Sequence, residues 1–424
     1  MLRKMILDMT TIYYQALNLF PYWTDTLLKE WDKHYTDLMM TVTKDTSLND
    51  FYQGLMRFVS ILDDGHSLIY LPKQIKEKTS YFPFNLEIIE DKLVIVACTP
   101  DYKPYLFEPI KEINGMAADA FLDLLCAHYW QSNVSLSLIY FQHNPSFLLS
   151  EDPFTITFEG NNIIACRFLR TQIQWADFPV DESMIAGQLL FNSPHLLVIK
   201  VQNKHIVKIK DFMDQKLVET FYQHLPILQE SQEIIFDIRG NLGGNSGFAN
   251  EIAQAFFDDP LHTEKVAYQE SNAERYADTT QALYHHTEDD YRNHEQFIYL
   301  NHQFLIEKDA FDSYAHRQGV LKDKKVKLLI DRQTYSSAEN FAMLFDQNER
   351  ALIIGEPSAG STGQPALIKL QTGGVFMVTA KKVTHPNGKT HHNVGILPQV
   401  TLKRTLADKN KDDVLKKALA LILD

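Results

Sequence analysis

The chain has 424 residues, of which 45% are apolar and 22% are charged, as is ordinary for globular proteins. This length favours roughly three domains, and the composition excludes disordered, low-complexity and collagen-like proteins. The net charge of −13 repels phosphate backbones, so nucleic acid is not expected as a partner.

Cysteine usage and the N-terminal segment bear on the compartment. Cys98, Cys126 and Cys166 are too few for a disulfide framework, and none belongs to a Cys-x-x-Cys pair that would hold zinc. Asp8 interrupts the apolar run that a signal peptide needs, and no stretch of about 18 apolar residues occurs. These features predict a cytoplasmic protein without a membrane span.

Residues 1–76 are predicted to form an N-terminal helical domain. Leu28, Trp31, Tyr35 and Leu38 recur every three or four residues, which is the period of one helix face. Residues 80–170 differ, because two stretches alternate around polar turns as hairpins do, FNLEIIEDKLVIVACT (84–99) and FTITFEGNNIIACRF (154–168). This second region predicts a small β domain with one or two helices.

Residues 185–424 have the pattern of an α/β domain. Short continuous apolar runs are typical of strands in a sheet covered on both faces, and they occur at 196–201, 233–238, 325–331 and 351–355. Amphipathic segments at 211–228 and 337–348 are predicted as helices between them. The stretch from about 258 to 322 is polar and rich in His, Asp and Glu, which predicts an inserted, partly helical segment.

Two glycine-rich loops follow predicted strands. The first, residues 237–247, could be a tight turn or could direct backbone amides at an anion, but its spacing fails the dinucleotide fingerprint. The second, residues 355–363, nearly matches a phosphate loop, yet Ser361 stands where that loop needs lysine. A nucleotide site is therefore not expected.

Ser336 lies at the predicted start of a helix, three residues before Glu339. This spacing is that of a capping box, so a structural role is the simpler interpretation. A helix N-terminus also stabilises an oxyanion formed beside it, and a serine there becomes a nucleophile if a base accepts its proton. The G-x-S-x-G motif of α/β-hydrolases is absent.

The order of four segments is more specific than any one of them. The chain resembles the serine peptidase family of the C-terminal processing (tail-specific) peptidases and the tricorn core peptidase, through DIRGNLGG (237–244), SSAE (336–339), GEPSAG (355–360) and GILPQ (395–399). Upstream, ILDDGHSLIYLP (61–72) is similar to the D-G-H-[ST] motif of the branch that uses histidine. The segment LFEPIKEINGMAADAFLDLL (106–125) resembles a degenerate PDZ-like domain.

The resemblance implies roles for individual residues. Ser336 would be the nucleophile, and the backbone amides of Gly243, Gly244 and Ser337 would form the oxyanion hole. Because Ser361 replaces the lysine of the tail-specific branch, His66 would be the base. An imidazole that titrates near pH 6.5 can accept a serine proton, although a partly buried histidine that ties a helix end to the next domain is the alternative.

The third member of the triad is the open question. The tricorn-like branch places a glutamate three residues before the glycine of the closing strand, and that position here is His392. A histidine cannot orient His66 by negative charge as a carboxylate does. Either Glu356, Asn393 or another carboxylate orients the base, or the triad is incomplete and activity is lowered.

The resulting expectation is an α/β protein with a crotonase-like (ClpP/crotonase) catalytic core, an N-terminal helical domain and a PDZ-like β domain. The expected function is serine-type hydrolysis of peptides or unfolded protein segments without a cofactor. The alternatives are an inactive relative that binds peptides or apolar ligands, and an esterase. Oligomerisation is compatible with the sequence. No metal site is expected, since neither group of histidines has H-E-x-x-H spacing: His285, His286 with Glu288, and His385, His391, His392.

Overall fold

The protein is represented by a computed structural model that describes residues 1–76, 81–149, 151–169, 187–271, 303–408 and 412–423. Its helices are α1 (Leu2–Leu19), α2 (Asp25–Thr41), α3 (Leu48–Val59), α4 (Lys73–Lys76), α5 (Ala118–Cys126), α6 (Val134–His143), α7 (Pro145–Leu148), α8 (Lys216–Gln223), α9 (Leu225–Gln229), α10 (Ser246–Ala253), α11 (Ser337–Gln347) and α12 (Asp413–Ala420). Within these ranges, no helix is both long and apolar enough to cross a bilayer.

The strands fall into a first group before residue 170 and a second group after it. The first group is β1 (Leu68–Tyr70), β2 (Phe84–Ile89), β3 (Lys92–Cys98), β4 (Ile110–Ile113), β5 (Met116–Ala117), β6 (Phe154–Phe158) and β7 (Ile163–Cys166). The second group is β8 (Gln188–Asn192), β9 (Leu196–Val201), β10 (Lys204–Ile209), β11 (Glu233–Asp237), β12 (Leu261–Ser271), β13 (Gln303–Asp312), β14 (Lys325–Ile330), β15 (Leu352–Gly355), β16 (Pro365–Lys369), β17 (Val375–Thr379), β18 (Lys382–Thr384) and β19 (Val400–Thr401).

The N-terminal helices form where the sequence places caps and an apolar stripe. Thr24 caps α2 by accepting the N–H of Leu27 at 3.2 Å, and Ser47 caps α3 by accepting that of Asp50 at 3.1 Å. Trp31 of α2 is fully buried and stacks on Phe58 of α3 with a centroid distance of 3.9 Å. The helices predicted for this region are confirmed.

The middle region contains the two predicted hairpins. Strands β2 and β3 pair around Glu90 and Asp91, and β6 and β7 pair within a sheet of order β5-β4-β6-β7. Helix α5, which ends at Cys126, is one of the helices that the sequence predicts for this region. Both hairpins pack into the same apolar core as the N-terminal helices.

A mixed seven-stranded sheet is the centre of the C-terminal half, in the order β19-β15-β14-β11-β10-β9-β8. Strands β10, β11, β14, β15 and β19 run parallel, whereas β8, β9 and β10 form an antiparallel meander. Helices α8, α10 and α11 contribute to the core on one face, and α12 contributes to the core on the other. Carboxyl ends of parallel strands gather at one edge, which is where α/β proteins place their sites.

The polar stretch from about 258 to 322 differs from the prediction in its described part. Strands β12 and β13 form a long antiparallel hairpin, and β18 pairs with β12 on its other side. The 3-10 turn Ala315–Arg317 is the helical portion described there. Residues 272–302, including His285, His286 and Glu288, lie outside the described residues.

A small sheet joins the two ends of the chain. Strand β1, directly after His66, pairs antiparallel with β17, which pairs with β16. The fully buried Asp8 of α1 binds the turn between β16 and β17. It accepts hydrogen bonds from the N–H of Thr372 at 2.9 Å and from the hydroxyl of Thr372 at 2.6 Å. This sheet brings the segment after α3 to the C-terminal half.

Replacing Asp8 by alanine is expected to lower the free energy of unfolding by about 2–3 kcal/mol, because buried donors of the β16–β17 turn lose their acceptor. Urea denaturation followed by circular dichroism measures this change. Asp37→Ala, on the exposed surface of α2, is the matched control. Equal midpoints for the two variants would contradict the role given to Asp8.

Candidate active site

Ser336 lies immediately before α11, at the carboxyl end of β14. Its backbone has φ 57° and ψ −124°, a left-handed conformation that is rare for a residue with a side chain. The neighbouring Tyr335 donates its N–H to the carbonyl of Asn241 at 3.0 Å, which joins the serine loop to the first glycine-rich loop. Such strain is found where surrounding contacts fix a functional side chain.

The predicted capping partner Glu339 does more than cap the helix. Its carboxylate is fully buried and accepts the N–H of Ser336 at 3.3 Å. It also accepts the N–H of Gly360 at 2.7 Å and that of Ser361 at 2.9 Å. Glu339 therefore fixes the second glycine-rich loop against the serine.

His66 reaches Ser336 from the other end of the chain. It lies in the turn between the 3-10 helix Ser60–Leu62 and β1, and its Nε2 is 3.0 Å from Ser336 Oγ. The imidazole is 6% exposed and stacks on Tyr335 with a centroid distance of 4.5 Å. The two residues that the sequence analysis paired across 270 positions are therefore in hydrogen-bond contact.

The other imidazole nitrogen meets Ser361. His66 Nδ1 is 2.8 Å from Ser361 Oγ, and this hydroxyl donates to Asp64 Oδ1 at 3.1 Å. An ionised carboxylate only accepts hydrogen bonds, so the single hydroxyl proton of Ser361 points to Asp64. The oxygen of Ser361 then accepts from Nδ1–H, and Nε2 carries the free lone pair that faces Ser336.

Asp64 is buried and surrounded by donors. Its carboxylate accepts from the N–H of His66 at 3.1 Å, from Ser67 Oγ at 2.8 Å and from Thr379 Oγ1. Burial alone would raise its pKa, but hydrogen bonding and charge from His392, together with the other donors, lower the pKa to about 2. Asp64 is therefore an anion at neutral pH.

Burial has the opposite consequence for His66, because it disfavours the charged imidazolium. This burial lowers the pKa of His66 to about 4, although the charges of Asp64 and Glu339 act to raise it. The imidazole is thus neutral, and able to accept a proton, throughout the physiological range.

If His66 is the base, kcat/KM for a peptide substrate should stay level as the pH falls from 8 to about 5. It should then decline as the pH passes through the pKa of about 4, because the protonated imidazole cannot accept the serine proton. A pH–rate profile, with circular dichroism to confirm folding at each pH, measures this. An acid limb centred near 6.5 would contradict a buried, desolvated base.

The first glycine-rich loop contacts the serine closely. A Cβ atom on Gly243, whose φ is 91°, would lie 2.7 Å from Ser336 Cβ and 2.8 Å from the nitrogen of Ser337, so only glycine allows this approach. The N–H of Gly243, however, donates to Asn241 Oδ1 at 2.8 Å and is not available to an oxyanion. The amides of Gly244 and Ser337 have no acceptor within the described residues, and they remain the oxyanion candidates.

Neither of the two named orienting candidates is hydrogen-bonded to the imidazole, and the carboxylate that lies behind it through Ser361 is Asp64. Asn393 is hydrogen-bonded to Asp63 and Trp130, and neither it nor Glu356 bonds His66 in the described chain. The pKa of Glu356 is raised by burial, and Lys403 is its main opposing charge. The expected position of the family glutamate, His392, lies with Nε2 3.4 Å from Asp64 Oδ1 and stacks on Tyr22.

Neither Ser361 nor Asp64 was predicted from the sequence as an orienting group. One signal pointed to Ser361, because it occupies the position of the lysine base in the resembling family. Asp64 was visible only as part of the D-G-H-S motif. Among the described residues, no group of three or more His, Cys, Asp or Glu side chains is placed to hold a metal ion.

Sequence comparison covers the part of this site that lies in the C-terminal half of the chain, including Ser336 and Ser361 but not His66 or Asp64. Residues 205–402 match the family model described as peptidase family S41. A stretch of 95 residues is 26% identical to a carboxyl-terminal-processing protease of Synechocystis sp.. This match covers 22% of this chain and 22% of that relative.

Structural comparison extends over the whole chain. Mature CPAF superposes with a TM-score of 0.70 at 14% identity, covering 98% of this chain and 96% of that one. A putative peptidase from Parabacteroides merdae gives 0.58 at 14% identity, covering 100% and 97%. The photosystem II D1 C-terminal processing protease gives 0.51 at 13% identity, covering 97% and 98%. At these identities the likeness shows a shared α/β fold with a mixed sheet.

Proposed function

We propose that this chain is a serine-type hydrolase that cleaves peptides or unfolded protein segments, because residues 205–402 match the model of peptidase family S41. The observation that carries the proposal is the 3.0 Å contact between Ser336 Oγ and His66 Nε2, backed by a buried carboxylate. A nucleophile, a base and an orienting group in one hydrogen-bonded series are the parts that acyl transfer needs.

In the first step, Ser336 Oγ attacks the scissile carbonyl carbon while its proton passes to His66 Nε2. The carbonyl π electrons move to the oxygen, and the resulting oxyanion is stabilised by the amides of Gly244 and Ser337 at the start of α11. The C–N bond then breaks, and His66 returns the proton to the leaving amine. The product is an acyl ester on Ser336.

In the second step, water replaces the amine. His66 accepts a proton from the water, whose oxygen attacks the ester carbon, and Ser336 Oγ leaves with the proton that His66 gives back. The enzyme returns to its starting protonation state. No cofactor is required by either step.

We assign the orienting role to Ser361 and Asp64 together. Asp64 fixes the direction of the Ser361 hydroxyl proton, and Ser361 in turn fixes His66 in the tautomer with Nε2 unprotonated. When His66 becomes an imidazolium, the nearby anion of Asp64 stabilises its charge through Ser361. This relay uses Ser361 at the position where the tail-specific branch has its lysine base.

The proposed architecture follows from the same family. We propose that residues 185–424 form a crotonase-like peptidase domain, residues 80–170 a PDZ-like domain and residues 1–76 a helical domain. The parallel strands beneath Ser336 and the β2–β3 hairpin with sheet β5-β4-β6-β7 and helix α5 support this division.

A fluorophosphonate probe tests the proposed chemistry on the full chain. The expected result is covalent labelling of folded protein at Ser336, mapped by mass spectrometry, together with turnover of an unstructured peptide. Labelling with turnover of small esters but not of peptides would indicate an esterase instead. Absence of both labelling and turnover in folded protein would contradict the proposal and favour a ligand-binding protein.

A further inference from the structure

The base is carried by a turn that has little backbone support of its own. Asp63 adopts a left-handed φ of 46° directly after the 3-10 helix, and ladder pairing resumes only at Leu68 of β1. The position of His66 therefore depends on side chains that hold residues 63–67 from outside. Three of the residues that contact this turn are Asn393, Trp130 and Ser132.

The first contact comes from the loop that precedes β19. Asn393 Nδ2 donates to the carbonyl of Asp63 at 2.9 Å and to its Oδ2 at 3.1 Å. The backbone N–H of Asn393 donates to the carbonyl of Gly360 at 2.8 Å, one residue before Ser361. Asn393 therefore connects the His66 turn with the loop that supplies the orienting hydroxyl.

The second and third contacts come from the middle region. Trp130 Nε1 donates to Asn393 Oδ1 at 3.2 Å, and the backbone N–H of Ser132 donates to Asp63 Oδ1 at 2.8 Å. The Trp130 ring lies so close to Gly65 that a Cβ atom there would be 2.6 Å from Cζ3. The turn is thus fixed both by hydrogen bonds and by contact with a fully buried ring.

We infer that Asn393 is a positioning residue for His66, acting through Asp63 and Trp130. Its amide donates to two acceptors on Asp63 and accepts from one donor, the Trp130 indole. Its own φ of 57° is one that asparagine tolerates better than most residues. Asn393 was expected to touch the imidazole; the geometry points instead to a role one step removed. This inference rests on the proposed function.

The isosteric variant Asn393→Asp tests it. An oxygen then replaces the amide nitrogen 2.9–3.1 Å from the carbonyl and carboxylate of Asp63, so attraction becomes repulsion at neutral pH. We expect kcat for an unstructured peptide to fall about 10- to 100-fold, the cost of a small misplacement of a catalytic group. KM should change by less than about twofold, because Asn393 holds the base rather than the substrate.

Exchanging the side chains of residues 63 and 393 tests for recovery of kcat, which a merely structural role of Asn393 would not predict. In D63N/N393D the new amide at 63 can donate to the new carboxylate at 393, and it can still accept from the Ser132 N–H. We therefore expect part of the lost kcat to return relative to Asn393→Asp, because the side-chain contact is restored whereas the backbone carbonyl of residue 63 still faces an oxygen. Asn393→Gly keeps the left-handed backbone but removes the amide, so its kcat should fall to a similar extent. This variant can be used for the test if Asn393→Asp does not fold.

Asn387→Asp is the control, because it makes the same change at an exposed position of the same loop, and its kcat should equal that of the wild type. Wild-type kcat in both Asn393 variants would overturn the inference, as would a double variant no better than the single ones.

The variant His66→Ala distinguishes a failure of the proposed function from a failure of the positioning role of Asn393. If His66→Ala retains full turnover the proposed function fails, whereas an inactive His66→Ala beside fully active Asn393 variants removes only the positioning role.

Discussion

Ser336→Ala is expected to lower kcat for an unstructured peptide by about 10⁵-fold, while leaving the fold intact. Removing the hydroxyl leaves no atom to attack the carbonyl, and the members of such a catalytic unit fail together rather than additively. The residual rate would come from the Gly244 and Ser337 amides acting on bound substrate alone. Single-turnover hydrolysis with enzyme in excess measures the loss.

Helix capping is the competing explanation for Ser336, and the chain offers a matched control. Ser47 also precedes a helix, with an acidic residue three positions later, and it caps the N-terminus of α3, the end away from the His66 turn. Ser47→Ala should lower the free energy of unfolding by about 1 kcal/mol and leave kcat unchanged. If Ser336→Ala behaves in the same way, Ser336 is a cap and not a nucleophile.

Asp64→Asn is expected to lower kcat by about 10³- to 10⁴-fold. The new amide nitrogen can donate to Ser361 Oγ, which turns the Ser361 hydroxyl proton toward His66 Nδ1. His66 then carries its proton on Nε2 and cannot accept one from Ser336, as in the serine protease triad when its aspartate becomes asparagine. Steady-state kinetics at pH 7 measures the loss.

The same substitution in a Ser361→Ala background distinguishes a relay from a general loss of stability. Without the bridging hydroxyl, Asp64 no longer determines the tautomer of His66, so the second substitution should cost far less than it does alone. Thermal unfolding of each variant supplies the stability control. If Asp64→Asn lowers kcat by the same factor in the wild type and in Ser361→Ala, the relay through Ser361 is contradicted.

The sequence was sufficient to predict that Ser336 and His66 lie together, but not to identify the groups on the other side of the imidazole. Ser336 and His66 lie in short motifs whose order along the chain is recognisable. The contact from Asp64 to Ser361 spans 297 positions and depends on how β1 pairs with β17, which no local spacing encodes. The carboxylate that we propose in place of the one expected near residue 392 is Asp64, two residues before His66 in the sequence.

The fold shows a similar division between local pattern and tertiary arrangement. Buried strands such as β11, β14 and β15 were identified because continuous apolar runs indicate a covered sheet. Strand β10 was missed, although Lys204–Ile209 contains three β-branched residues, Ile206, Val207 and Ile209, after a turn at Gln202. In the stretch from about 258 to 322, the polar composition suggested a partly helical segment. Most of the described residues there form strands instead, because β12 pairs antiparallel with both β13 and β18.

The decisive experiment for the proposed acyl transfer to Ser336 is to trap the acyl-enzyme. The full-length chain is mixed with an activated ester of a short peptide, quenched in acid within milliseconds, digested and analysed by mass spectrometry. We expect the acyl group to accumulate on Ser336 in the wild type and to be absent from Ser336→Ala. Hydrolysis that proceeds with no covalent intermediate, or with the acyl group on another residue, would contradict this expectation.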